Sequence, residues 1–209
     1  MCPYRMLEQN QIFHHCIPLL QSAAGDAIHI VPEVQVPGGN ICLVAVRHNE
    51  IADFVGIELQ SVDTTGTLWP HRQNLLPQAD QMSNSVGSFG INWKMTAKTI
   101  LIQLLHKTRT YEELNKKLVI VFQDHIFDYI RREFQFDELP EAGNEHSLPI
   151  HVYTFQQIGA SYTLQITKRY GLTSEYVANS LGLRRNSNTE LDAIIRRLAS
   201  KVSPNNRLR

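Results

Sequence analysis

The chain has 209 residues, 43% of them hydrophobic and 19% charged, a balance that excludes a chain disordered over most of its length. Its 20 Lys/Arg cancel its 20 Asp/Glu, and no apolar run approaches the roughly 20 residues a membrane-spanning helix needs. Three cysteines, Cys2, Cys16 and Cys42, do not make a disulfide framework, and Met1–Leu20 lacks the basic start and clean apolar stretch of a secretion signal. A cytoplasmic protein that does not engage a membrane is expected.

The charge is unevenly placed. Residues 1–90 carry three Lys/Arg against eight Asp/Glu, and residues 160–209 carry nine against three. An acidic half joined to a basic end suits a metal-using enzyme that acts on a polyanion.

In chain order, residues 28–62 read as a β-meander. Ile28–Val36 is rich in β-branched residues, Pro37-Gly38-Gly39-Asn40 is a strong turn signal, and Ile41–Val46 is a second apolar run. Arg47–Glu50 turns the chain again, and Ala52–Val62 is a third strand. A polar stretch from Asp63 to Gly90 is long enough to be functional rather than a simple connector. A helix is predicted from Asn92 to Lys107, with Trp93, Ala97, Ile100, Leu101, Leu104 and Leu105 on its apolar face and Lys94, Lys98 and Lys107 off it. Leu118–Phe122 reads as a buried strand, Ile126–Phe134 as a short amphipathic helix, and Leu148–Phe155 as a further strand. Residues 160–182 are ambiguous between helix and strand. Thr189–Val202 has a helix cap, early acids and late bases.

Alternation along the third strand puts Glu58 and Gln60 on one face and Asp53 on the other. If Val36 and Ile41 close the first hairpin, Gln35 faces Cys42 and Glu33 faces Val44. If His48 and Ala52 close the second, Cys42 faces Glu58. Glu33, Gln35, Cys42, Glu58 and Gln60 then crowd one sheet face. Clustered carboxylates repel unless a cation lies between them, and hard oxygen ligands of this kind suit Mg²⁺. The bland alternative is a solvated polar face on an edge strand.

The pattern Pro32-Glu33-Val34, a Gly-rich hairpin, then Asp53-Phe54-Val55-Gly56-Ile57-Glu58-Leu59-Gln60-Ser61-Val62-Asp63-Thr64-Thr65-Gly66 resembles the NotI-type restriction endonuclease family. So does Phe89-Gly90-Ile91-Asn92-Trp93, which opens a helix containing Lys98 and Gln103-Leu104-Leu105. The likeness covers about residues 30–130. It implies an α/β fold with a PD-(D/E)xK nuclease core, a mixed sheet flanked by helices, and a basic helical C-terminal part. Residues 1–158 would form the nuclease-like domain, with its core at about 28–135, and residues 159–209 a basic region that completes it or is appended to it.

The implied activity is site-specific, Mg²⁺-dependent hydrolysis of double-stranded DNA by a type II enzyme, as a homodimer that cuts both strands of a near-palindrome. Glu58 and the backbone carbonyl of Leu59 would hold the metal, Gln60 would orient the attacking water, and Glu33 would act as an additional acid. Cys42 stands where the family's second strand has a metal-binding Asp. A thiol is a soft, poor ligand for Mg²⁺, so a relative that binds DNA without cutting it is the alternative, and a non-enzymatic interaction protein a third reading. Lys94, Lys98, Thr64, Thr65 and Arg72 are the candidate DNA contacts, with Arg184, Arg185, Arg196, Arg197 and Lys201 as a basic end. The family's namesake carries a further metal site of four cysteines, for which this chain offers Cys2 and Cys16, with His14 and His15 beside the latter.

Overall fold

The computed structural model describes residues 6–36, 39–60, 64–65, 90–91, 93–133, 136, 138–159 and 161–180, together with 195, 196 and 199. The described elements form a mixed α/β fold. Its centre is a six-stranded sheet in the order β1 (Ala27–Val36), β2 (Gly39–Arg47), β3 (Glu50–Gln60), β6 (Lys117–Gln123), β7 (Leu148–Ile158), β8 (Ser161–Leu172). A separate two-stranded pair joins β4 (Thr64–Thr65) to β5 (Gly90–Ile91). Helices are α1 (Gln11–Cys16), α2 (Trp93–Glu113), α3 (Asp124–Glu133) and α4 (Ser174–Ser180). Among the described residues no helix is long and apolar enough to cross a membrane.

The predicted meander is present, and β1, β2 and β3 pair antiparallel. From β3 the chain crosses through α2 to β6, which pairs parallel with β3, and β7 pairs parallel with β6. Parallel pairing needs a crossover of this length and buries both faces of the central strand. Leu118, Val119, Ile120, Val121 and Phe122 are accordingly all buried, which explains the unbroken apolar run. The ambiguous segment 160–182 divides into β8, antiparallel to β7 around Gly159, and the short helix α4.

Two cores lie on opposite faces of the sheet. On one, Ile100, Leu104 and Tyr111 of α2 and Ile126, Phe127 and Ile130 of α3 pack over Leu118, Ile120 and Phe122. On the other, Ile12, Phe13 and Cys16 of α1 pack over Val55, Ile57, Val119 and Val121. Thus Glu58 and Gln60, in step with Gly56, belong to the α2 side, and Asp53, in step with Val55 and Ile57, to the α1 side.

Both hairpin registers differ from those expected. His48 and Asn49 are both in the left-handed region, at φ 50° and 63°, and make a two-residue turn closed by Arg47 and Glu50. A bulge follows between the Ala45 and Val46 pairings, so Cys42 pairs with Gly56 and Val44 with Phe54. The slip relative to expectation is two residues, which preserves the face. In the first hairpin Val36 pairs with Gly39, and a second irregularity lies between Pro32 and Val36, where proline cannot donate to the ladder. Cys42 therefore faces Val31 rather than Gln35, and Val44 faces His29 rather than Glu33.

Gly56 is dictated by a close approach. A Cβ there would overlap the Tyr111 hydroxyl oxygen and lie 2.6 Å from ring atom Cζ. Tyr111 is buried, so its ring gives way only by disturbing the packing around it. Gly56→Ala is expected to cost about 1–3 kcal/mol, read as a lower urea midpoint at unchanged slope.

Helix α2 runs to Glu113, six residues beyond the predicted end. Its C-terminus is closed by Asn115 at φ 51°, and Lys116 N–H donates to the Tyr111 carbonyl. The added turn carries Tyr111 onto the sheet. It also carries Glu112, whose carboxylate accepts from the Ser147 hydroxyl and from the backbone N–H and hydroxyl of Ser174. These bonds tie α2 to the start of α4.

Candidate active site

Glu58 lies near the C-terminal end of β3, half-buried, with both carboxylate oxygens engaged. Gln60 Nε2 donates to Oε1 at 2.6 Å, and Lys107 Nζ donates to Oε2 at 2.6 Å. The side chains of Lys107 and Glu58 are 24% and 13% exposed, so the ion pair is sheltered but reachable from solvent. The Glu58–Gln60 pairing follows from strand alternation, as expected. Because Gln60 gives its N–H₂ to a carboxylate, its carbonyl oxygen is left as the acceptor.

Lys107 corrects the sequence reading, which set it off the apolar face of the helix. In the structure it lies on the side of α2 that faces the sheet, three residues after Leu104 and four before Tyr111. The signal was available in the continuation of the stripe Ile100, Leu104, Tyr111 past Lys107, which a helix ending at Lys107 cuts off. A lysine within an apolar stripe asks for a buried anionic partner.

Cys42 shares this face, one inward-pointing position along from Glu58, because it pairs with Gly56. Its thiol is buried, and burial pushes its pKa up against a weaker opposing contact with Tyr111. A neutral thiol among Val44 and Phe54, on the floor of an apolar groove of about 520 Å³, is not a ligand for a hard cation. Tyr111 covers Gly56, and its hydroxyl is the one buried side-chain oxygen among the described residues with no hydrogen-bonding N or O partner. Burial, then Cys42, then Glu58 raise the pKa of this phenol, which is held neutral.

Asp53 is on the opposite face, as alternation requires, and does not join the site. It accepts from Gln21 N–H and from Lys116 Nζ, and these bonds outweigh its burial and hold its pKa below the usual value. Of the remaining candidates, Glu33 lies in the irregular part of β1, past the last regular pair at Pro32, and its side chain is outside the described set. Thr64 and Thr65 form β4. Lys94 and Lys98 are in α2, with side chains outside the described set. Arg72, Arg184, Arg185, Arg197 and Lys201 are outside the described residues, as is Cys2; Arg196 is helical and exposed.

His15 and Cys16 of the N-terminal segment meet β7 on the far side of the sheet. His15 Nδ1 and the Tyr153 hydroxyl are 2.9 Å apart, and Cys16 Sγ lies 4.0 Å from His151 Nδ1. Burial raises the Cys16 pKa to about 12, so this thiol is protonated and belongs to the core. His14 is exposed. No group of three or more His, Cys, Asp or Glu side chains among the described residues is placed to hold a metal.

Mg²⁺ keeps much of its water and takes as few as one or two protein carboxylates beside substrate phosphates. Among the described residues the site offers one carboxylate, Glu58, with one oxygen bonded to the Gln60 amide and the other to the Lys107 ammonium. These side chains do not by themselves make a metal site, and Cys42 contributes no hard ligand to one. No protein-family model matches this sequence, and no match to a curated protein is found.

Proposed function

We propose that this chain is a DNA phosphodiesterase of the restriction-endonuclease type, built on a PD-(D/E)xK-like core, with its reaction centred on Glu58. The observation that carries this reading is the Glu58–Gln60–Lys107 cluster at the end of the strand where the antiparallel meander meets the parallel part of the sheet. The resemblance to the NotI type supports it, as does the basic C-terminal part of the sequence.

Glu58 and the Leu59 carbonyl would hold Mg²⁺, which when bound lowers the pKa of water and stabilises charge on phosphate oxygens. The chain's own residues divide the remaining work. Gln60 presents its free carbonyl oxygen to a water and orients it, while its N–H₂ keeps Glu58 in a fixed rotamer. Lys107 brings a positive charge to the same point, where an incoming phosphate places a negative one. Double-stranded DNA is the substrate, and a homodimer would place two such sites on opposite strands.

A second reading, a relative that binds DNA and no longer cuts it, is favoured by one observation, the neutral buried Cys42 where a carboxylate is expected. Supercoiled plasmid incubated with Mg²⁺ or Mn²⁺ separates the two. Nicking by the wild type that is lost in Glu58→Ala supports the first reading. Cleavage only after Cys42→Asp, with salt-sensitive DNA binding by the wild type, supports the second. Absence of both cleavage and salt-sensitive binding in every variant overturns both.

A further inference from the structure

We infer that the β7–β8 hairpin beyond residue 153 is a base-reading ribbon that enters the major groove of the duplex DNA held at Glu58. This deepens the proposed action on DNA, rests on that reading, and places nothing on a metal.

Unequal pairing makes the ribbon. β7 pairs with β6 only over Ile150–Tyr153, whereas its pairing with β8 continues to Ile158–Ser161, around Gly159 at φ 62°. Among the described residues, 154–158 and 161–165 therefore pair with each other alone and extend past the sheet. Phe155 and Leu164 anchor the root by packing into the core on the α1 side. The ribbon leaves from the end of the sheet that carries the candidate site. β3, β6 and β7 are parallel, and Gln60, Phe122 and Val152 lie level across them. Because Tyr153, Phe155, Leu164 and Ile166 face the α1 side, Gln156, Thr163 and Gln165 share the face of Glu58 and Gln60. Gln156 is six residues beyond Ile150, which lies level with Glu58 two strands away. At about 3.3 Å per residue and about 4.8 Å per strand, the two backbones are about 22 Å apart. That is the rise of roughly six base pairs.

The side chains suit base edges. Residues 154–165 contain no Asp, Glu, Lys, Arg or His, although most of them are exposed. On the face of the site they present Gln156, Ser161, Thr163 and Gln165, with Ile158 at the tip. Amides and hydroxyls donate and accept as base edges do, and they cost less to desolvate than ions. A glutamine matches adenine N6 and N7, and an aliphatic tip matches the thymine methyl. A two-stranded ribbon fits a major groove about 12 Å wide and is too broad for a minor groove of about 6 Å. Charge sits at the root instead. Lys168 pairs with Val152, is exposed, and faces the same side level with Gln60, where backbone phosphates pass. Asp124, also at the root, is engaged by Thr154 and His125.

Sequence selection from a random duplex pool in EDTA reads binding and not cleavage. Wild type is compared with the triple variant Gln156→Ala/Thr163→Ala/Gln165→Ala, with Gln156→Ala alone and with Lys168→Ala, each checked by melting and sedimentation. Wild type is expected to enrich a defined sequence. The triple variant is expected to lose that enrichment by at least about tenfold, with its salt-sensitive binding of the unselected pool intact. Gln156→Ala relaxes part of the sequence, and Lys168→Ala weakens binding to all sequences alike. No enrichment by wild type, or equal enrichment by wild type and the triple variant, overturns the ribbon as reader and leaves DNA binding standing. Loss of self-association by the triple variant with its sequence preference unchanged also overturns it, and makes the ribbon an interface between copies. Absence of salt-sensitive binding in every protein overturns both the ribbon and the DNA reading beneath it.

Discussion

Cys42→Asp is expected to raise the rate of DNA cleavage about a hundredfold over wild type, from roughly 3 kcal/mol of added transition-state stabilisation. Cys42 pairs with Gly56, and Glu58 is the next residue of β3 on that face. Diagonal neighbours of this kind sit about 7–8 Å apart at Cα, within the span that two carboxylates and one ion bridge. The pocket is also prepared for an oxygen acceptor. The Tyr111 hydroxyl over Gly56 is buried with no N or O partner and meets the Cys42 thiol, and an aspartate at position 42 would replace that weak sulfur contact with an oxygen acceptor. Without metal, the new carboxylate repels Glu58 and lowers stability. Adding Mg²⁺ therefore raises the melting temperature of Cys42→Asp by more than that of wild type. Plasmid cleavage rates and melts with and without Mg²⁺ check both effects. A folded Cys42→Asp that neither cuts faster nor gains stability from Mg²⁺ would remove Cys42 from the site.

The second large effect is on stability and pH. His151 is buried between Cys16 and the cross-strand Arg169, and burial, then Arg169, then His15 lower its pKa to about 4. The unfolded chain takes up that proton near pH 6.5, whereas the folded one refuses it until about pH 4. Between these values the unfolded state holds more protons, so folded stability falls as pH falls through that window. From pH 7.5 to pH 5 the expected loss from this residue is about 2 kcal/mol. His151→Asn, which cannot charge, flattens that slope and lowers the plateau at pH 7.5. Urea midpoints at the two pH values measure it, and an equal slope in both proteins would rule His151 out as the source. Below about pH 4 a separate loss follows as Asp53 and Glu112 protonate, since their bonds hold both pKa values below the usual carboxylate range.

Much of this arrangement was legible in the sequence, for physical reasons that differ by element. The meander announced itself through β-branched runs broken by turn residues, and β6 through an apolar run that only a doubly covered strand needs. Glu58 and Gln60 were legible because alternation is insensitive to a register slip of two residues. The register itself was not legible. It depends on His48 and Asn49 both entering the left-handed region and on a bulge beside Ala45, which the sequence does not announce.

Lys107 was misplaced because the helix was ended too early, where polar residues begin. The turn that follows, through Thr108 and Tyr111, is buried against the sheet and continues the apolar stripe. The mixture of Thr, Lys, Arg and Tyr in 161–172 hid β8, whose exposed face reads as polar and whose buried positions are few. The N-terminal helix was not read at all, since six residues are too few for periodicity to show. The predicted helix Thr189–Val202 falls outside the described residues except at Ile195, Arg196 and Ala199, which are helical.

The most direct test of Glu58 as the centre of a phosphodiesterase is the isosteric change Glu58→Gln, assayed beside wild type on supercoiled plasmid in Mg²⁺ and in Mn²⁺. The side chain keeps its length, so melting curves at neutral pH show whether the fold survives. Loss of at least about a thousandfold in the wild-type nicking rate, with the variant folded and still binding DNA, is the result expected. Equal nicking by both proteins, or no nicking and no salt-sensitive DNA binding by either, would contradict it.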